Sequence, residues 1–136
     1  MLVQPYLFFD GRCEEAIDYY RRTVDAKITH LMRFKDAPPD MRPAGASADN
    51  KVMHVRLHVG DTTIFASDGR CQGNPTFEGF ALSIAADSDA EAERLFAALG
   101  DGGKIVMPMG KTFFASRFGM VVDRFGVSWM LVAGAE

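Results

Sequence analysis

The chain has 136 residues, with 48% apolar and 24% charged residues and a net charge of −3. That is the make-up of one ordinary globular domain: a second full domain does not fit, disorder is excluded, and the acidic balance removes a basic nucleic-acid-binding face. No apolar run reaches the ~18 residues of a membrane-spanning helix, and no basic segment precedes Leu2 to Phe9, so no membrane partner is expected and the chain reads as cytoplasmic.

Leu2 to Phe9 is rich in strand formers, and Asp10-Gly11 breaks it and offers a cap to the next element. From Cys13, Ala16, Ile17, Tyr20 and Val24 recur at helical spacing, with Glu14 and Glu15 in the first turn and Arg21 and Arg22 in the last. Lys27 to Phe34 reads as a strand. Lys35 to Asn50, with Pro38, Pro39, Pro43 and Gly45, reads as a long loop.

Val52 to Val59 alternates most cleanly, Met53, Val55, Leu57 and Val59 on one side and His54, Arg56 and His58 on the other. A two-residue turn at Gly60-Asp61 then sets a hairpin register, Val59 against Thr62, His58 against Thr63, Arg56 against Phe65 and His54 against Ser67. A loop with Gly69, Gly73 and Asn74 precedes a strand over Phe77 to Ala86. Ser88 and Glu91 make a capping box for a helix with Ala92, Leu95, Phe96 and Leu99 on one face, stopped by Gly100. Lys104 to Met109, Phe113 to Val122 and Val127 to Val132 read as three further strands, the last two joined by a turn at Asp123-Arg124-Phe125-Gly126.

The element order is strand, helix, strand, strand, strand, given twice: an α+β chain of two βαβββ modules, about 1–68 and about 76–134, in a single domain spanning 1–136. One helix covers one face of a four-stranded sheet, which leaves the other face to line a cleft or meet a partner.

The segments QPYLFFDGRCEEAIDYYRRT, MHVRLHVGDTTIFASD, GFALSIAADSDAEAERLFAAL and GGKIVMPMGKTFFASRFGMVVDRFGVSWML resemble the PhnB-like family of the vicinal oxygen chelate superfamily, which includes glyoxalase I, bleomycin-resistance proteins and extradiol dioxygenases. The chain departs from that pattern at Phe114, where Trp is common, and at Asp25-Ala26, where Gly-Gly is frequent. The resemblance implies the glyoxalase/bleomycin-resistance-like fold, with two modules whose sheets curl around a cleft, and a homodimer. In metal-dependent relatives, residues on the first and last strands of each module hold a divalent cation, and carrying that pattern over gives Gln4, Phe65, Phe80 and Met130. An amide, two phenyl rings and a thioether do not suit a hard or borderline cation, so the expectation is no metal and no cofactor. His54 and His58 lie ~13 Å apart along their strand, too far for one ion.

The parity expected to face the cleft holds Gln4, Tyr6, His54, Arg56 and Ser67. Arg56 is suited to clamp an anionic group and His54 titrates near neutrality, although a half-solvated strand is polar on one side in any case. Phe8, Phe65, Phe80, Phe114 and Met130 are the apolar candidates for lining a pocket, and each also reads as plain core. The expected function is binding of a small organic molecule without a catalytic metal. The alternative is a metal-dependent lyase, isomerase or dioxygenase of the same superfamily. Cys13 and Cys71 read as free thiols, Cys13 at a helix start where a thiol pKa can be lowered. There is no glycine-rich fingerprint for a methyl-donor nucleotide.

Overall fold

In the computed structural model, residues 1–41, 48–71 and 74–135 are described, so Pro43, Gly45 and Gly73 of the expected loops lie outside the described residues. The chain forms two compact units, Met1–Pro75 and Thr76–Glu136. Each repeats one element order: β1 (Tyr6–Phe8), α1 (Cys13–Thr23), β2 (Lys27–Arg33), β3 (Val52–Val59) and β4 (Thr62–Ser67), then β5 (Leu82–Ala86), α2 (Asp89–Gly100), β6 (Lys104–Gly110), β7 (Arg117–Val122) and β8 (Ser128–Ala133). The sheets run β1-β4-β3-β2 and β5-β8-β7-β6. In each, the first strand lies parallel to the last and the other neighbours are antiparallel.

In the first unit, alternation sends Leu7, Ile64, Ala66, Val55 and Leu57 to a buried side, and α1 buries Ala16, Ile17 and Tyr20. α1 begins at Cys13 as its pattern predicts, but the cap is not Asp10 or Gly11. Arg12 occupies the cap position without a side-chain bond, and the buried Asp68 accepts the Cys13 N–H at 2.7 Å through Oδ1 and the Val52 N–H at 2.6 Å through Oδ2. One carboxylate thus closes a helix start and a strand start 55 and 16 residues away from it. After the helix, Asp25 takes φ 55°, the left-handed conformation that glycine adopts without strain, at the place where the family pattern has Gly-Gly.

The long loop carries two short 3-10 turns, Phe34–Asp36 and Pro39–Met41. In the second unit, Trp129, Leu131, Ala133 and Val121 are buried with Ala92, Leu95 and Leu99 of α2. Ser88 caps α2 by accepting the Glu91 N–H at 3.1 Å, and Gly100 is the last helical residue, with the left-handed turn two residues later at Gly102 (φ 78°). The turn Asp123–Gly126 forms as expected, and the buried Asp123 accepts the N–H groups of Phe125 and Val127 and the Trp129 indole N–H at 2.9, 3.1 and 2.8 Å.

Three strands are shorter than their composition suggests. β1 starts at Tyr6, since Pro5 has no N–H and contributes only its carbonyl, to Phe65 N. β5 starts at Leu82, after Gly79 at φ 78°, and this leaves Phe80 outside the sheet. β7 starts at Arg117 because the Thr112 hydroxyl takes the Phe114 and Ala115 N–H groups into a local turn, and Phe114 is therefore not a strand residue.

Candidate functional site

The face of the first sheet turned away from the buried side carries the polar chemistry. β3 and β4 pair as the Gly60-Asp61 turn dictates, with Arg56 opposite Phe65 and His58 opposite Thr63. On the far side of Phe65 lies Tyr6 of β1, and on the far side of Arg56 lies His30 of β2. One register row therefore reads Tyr6, Phe65, Arg56, His30. His54 and Phe8 stand one step along on the same face.

His30 is the residue that sequence reading missed. By plain alternation it belongs on the same side as Ile28, which pairs with the buried Leu57. A bulge at Thr29 shifts the register between Ile28 and His30, so that His30 and Met32 turn to the open face opposite Arg56 and His54. A second irregularity beside Met53 buries Val52 and leaves Met53 half-buried, reversing the expected order at that end of β3. Arg33, past that shift, points to the helix side and binds Glu14 of α1.

The rings on this face form a connected set. Tyr6 lies 4.8 Å from Phe8 and 6.1 Å from Phe65, the latter at 26° between planes. His54 lies 5.4 Å from Phe65 at 28°, and 6.3 Å from His30. The Tyr6 hydroxyl and His54 Nδ1 share a hydrogen bond of 3.1 Å. Tyr6 and Phe8 remain 38% and 57% exposed, so the rings are a surface and not a sealed core. Burial chiefly, with His30 and Arg56 adding to it, holds the His54 pKa below the usual imidazole value.

The remaining candidates are placed differently. The β3–β4 ladder ends at Val55 opposite Ala66, and Asp68 N bonds to Val52 O, one residue out of the hairpin register, so the expected pairing of His54 with Ser67 does not close. Ser67 is buried and its hydroxyl accepts the Gly69 N–H. Gln4 precedes β1 and is half-buried. In the second unit, Met130 lies on β8 between Ser83 of β5 and Met120 of β7, Phe80 packs edge-on to Phe77, and Phe114 packs edge-on to Phe118 at 5.1 Å. Cys13 and Cys71 are both free. Burial foremost, then Asp68 and Glu14, pushes the Cys13 thiol pKa far up, the opposite of activation by a helix start.

The positions that the resemblance carries over from metal-dependent relatives hold Gln4 and Phe65 in the first unit and Phe80 and Met130 in the second, with Gln4 and Phe80 outside strands. Of these side chains only the Gln4 amide oxygen suits a divalent cation of the hard or borderline kind. Among the described residues no group of three His, Cys, Asp or Glu stands close enough to hold an ion.

A family model described as 3-demethylubiquinone-9 3-methyltransferase matches residues 2–132. The chain belongs to this family. Its PhnB-like relatives include protein YjdN of Escherichia coli K12, 34% identical over 96% of this chain and 94% of that protein. Protein PA1353 of Pseudomonas aeruginosa is 39% identical, with a TM-score of 0.85 over 100% of this chain and 99% of that one. A structure from Bacillus cereus described as a putative 3-demethylubiquinone-9 3-methyltransferase, PhnB protein, is 26% identical, with a TM-score of 0.81 over 98% and 99% of the two chains. The fold is shared with a glyoxylase/bleomycin resistance protein/dioxygenase domain from Frankia, 17% identical at a TM-score of 0.63 over 100% and 93%.

Proposed function

We propose that this PhnB-like protein binds a small organic molecule on the open face of its first unit, and that binding needs no ion at the superfamily's metal positions. The observation that carries this reading is the ring set Tyr6, Phe8, Phe65 and His54, linked at 4.8 to 6.1 Å yet reaching the surface. Aromatic rings left in contact with solvent beside a few polar groups are what an apolar ligand covers on binding. Arg56 and His54 supply orientation.

Methyl transfer, the activity in the family's description, is not part of this reading. The β1–α1 connection, where a glycine-rich nucleotide turn would stand, reads Phe9-Asp10-Gly11-Arg12. We propose further a cytoplasmic homodimer. Exposed Ile105, Val106 and Met107 on the edge strand β6 support pairing, and sedimentation as a monomer would remove that part. No helix among the described residues is long and apolar enough to cross a membrane.

The test is a thermal-shift screen with histidine resonances as the reporter. A ligand at 100 times its Kd adds about 2.7 kcal/mol. Hits should move the His54 imidazole signals and lose affinity in Tyr6→Ala. Hits that stabilise Tyr6→Ala as well as the parent protein lie elsewhere and defeat the proposal.

A further inference from the structure

Arg56 is a cation that the fold does not use. Elsewhere in the first unit, four cations find carboxylates, Arg12 with Glu15 at 3.3 Å, Arg21 with Asp18 at 3.6 Å, Lys27 with Asp25 at 3.0 Å, and Arg33 with Glu14, and Arg22 and Lys51 donate to the carbonyls of Asp18 and Gly11. The Arg56 guanidinium is exposed and makes no hydrogen bond or ion pair with any described residue. The cause is local: strands β1 to β4 contain no Asp or Glu, so no carboxylate is built into their open face. That face carries His30, paired to Arg56 across the strands, and a Tyr6 hydroxyl hydrogen-bonded to His54.

A guanidinium without a carboxylate partner selects the charge of what binds. A metal ion between His30 and His54 would sit beside the guanidinium with no carboxylate to neutralise it, which disfavours a cation. An oxyanion is favoured for the same reason, and a guanidinium holds a carboxylate by two parallel N–H bonds. Beside Arg56 the rings of Tyr6, Phe65 and His54 form a cluster, with Phe65 stacked on Tyr6 and on His54 at 26° and 28° and Tyr6 tilted 38° to His54.

We propose that the ligand is a planar aromatic carboxylate: its ring packs against the Tyr6–Phe65–His54 cluster and its carboxylate engages Arg56, with His30 as a second donor. This rests on the reading of the face as a small-molecule site and adds the ligand's class.

The experiment titrates naphthoate and its neutral isostere naphthamide, following the imidazole signals of His30 and His54 by NMR. Expected are binding of naphthoate at least tenfold tighter than naphthamide, and a tenfold or greater loss for naphthoate alone in Arg56→Ala, with partial rescue in Arg56→Lys. Equal binding of the two probes, with Arg56→Ala unaffected, overturns the ligand class while the small-molecule reading stands. If neither probe moves His30 or His54, both readings fail.

Discussion

The two units share one skeleton and differ on the face their helices leave open. The central row of the first reads Tyr6, Phe65, Arg56, His30; a row across the four strands of the second reads Ser83, Met130, Met120, Met107. One row has a guanidinium, an imidazole and a phenol, and the other has three thioethers and a hydroxyl. The features both units keep lie elsewhere, in the buried side of the sheet and in one sealed carboxylate apiece, Asp68 and Asp123. The fold is therefore specified by groups that never meet the open face, which leaves that face free to carry different chemistry in each unit.

The largest effect is expected from breaking the sealed carboxylates. Asp123→Ala removes a carboxylate that accepts from three buried donors, the N–H groups of Phe125 and Val127 and the Trp129 indole, and Asp68→Ala one that accepts from two, Cys13 and Val52. At roughly 1–3 kcal/mol per buried unsatisfied group, with partial relaxation, losses of about 3 and about 2 kcal/mol are expected in urea unfolding. Effects near zero for either would show that the carboxylate is not what secures its unit.

A smaller effect sharpens the comparison on the buried side. Where the first unit places Val55 and Ala66 side by side, the second places Gly119 and Leu131. A Cβ at Gly119 would come within 2.5 Å of Met109 Sδ and 2.8 Å of Phe96 Cε2, so α2 depends on the missing side chain for its approach. Gly119→Ala should cost about 1–2 kcal/mol, less than Asp123→Ala because both obstructing atoms belong to side chains. A stabilised Gly119→Ala variant would mean that α2 has room to move away.

Most of this skeleton was legible in the sequence, for reasons visible element by element. The β3–β4 register followed from Gly60-Asp61, since a two-residue turn fixes every pair down to Val55, and Ser88 with Glu91 announced α2. The losses came where long-range contacts decide. β2 reaches β3 through a long loop that sets no register, so the bulge at Thr29 and the turning of His30 to the open face left no local trace. Asp68 caps a helix that starts 55 residues before it, and no spacing rule covers that distance. Phe80 and Phe114 looked like strand residues by composition, but Gly79 and the Thr112 turn ended the ladders first. At the candidate site, the aromatic and basic residues of β1, β3 and β4 could be named from parity, whereas the unpaired state of Arg56 became visible only with all four strands in place.

The smallest effect belongs to His54 and probes the open face directly. Burial first, then His30 and Arg56, hold its folded pKa below the unfolded value of 6.5. Between that lowered value and 6.5 the unfolded chain binds a proton that the folded chain does not, so stability falls as pH drops through this window and is unaffected by His54 above it. His30→Ala and Arg56→Ala should each raise the His54 pKa in an NMR titration, narrowing the window from below, and neither should approach the stability loss of Asp123→Ala. Arg56→Ala is the decisive variant of the two, because it removes a charge without removing a ring that shields the imidazole. If it leaves the His54 titration where it was, the guanidinium is turned away from the face, and the difference in chemistry between the two units shrinks to aromatic rings against methionines.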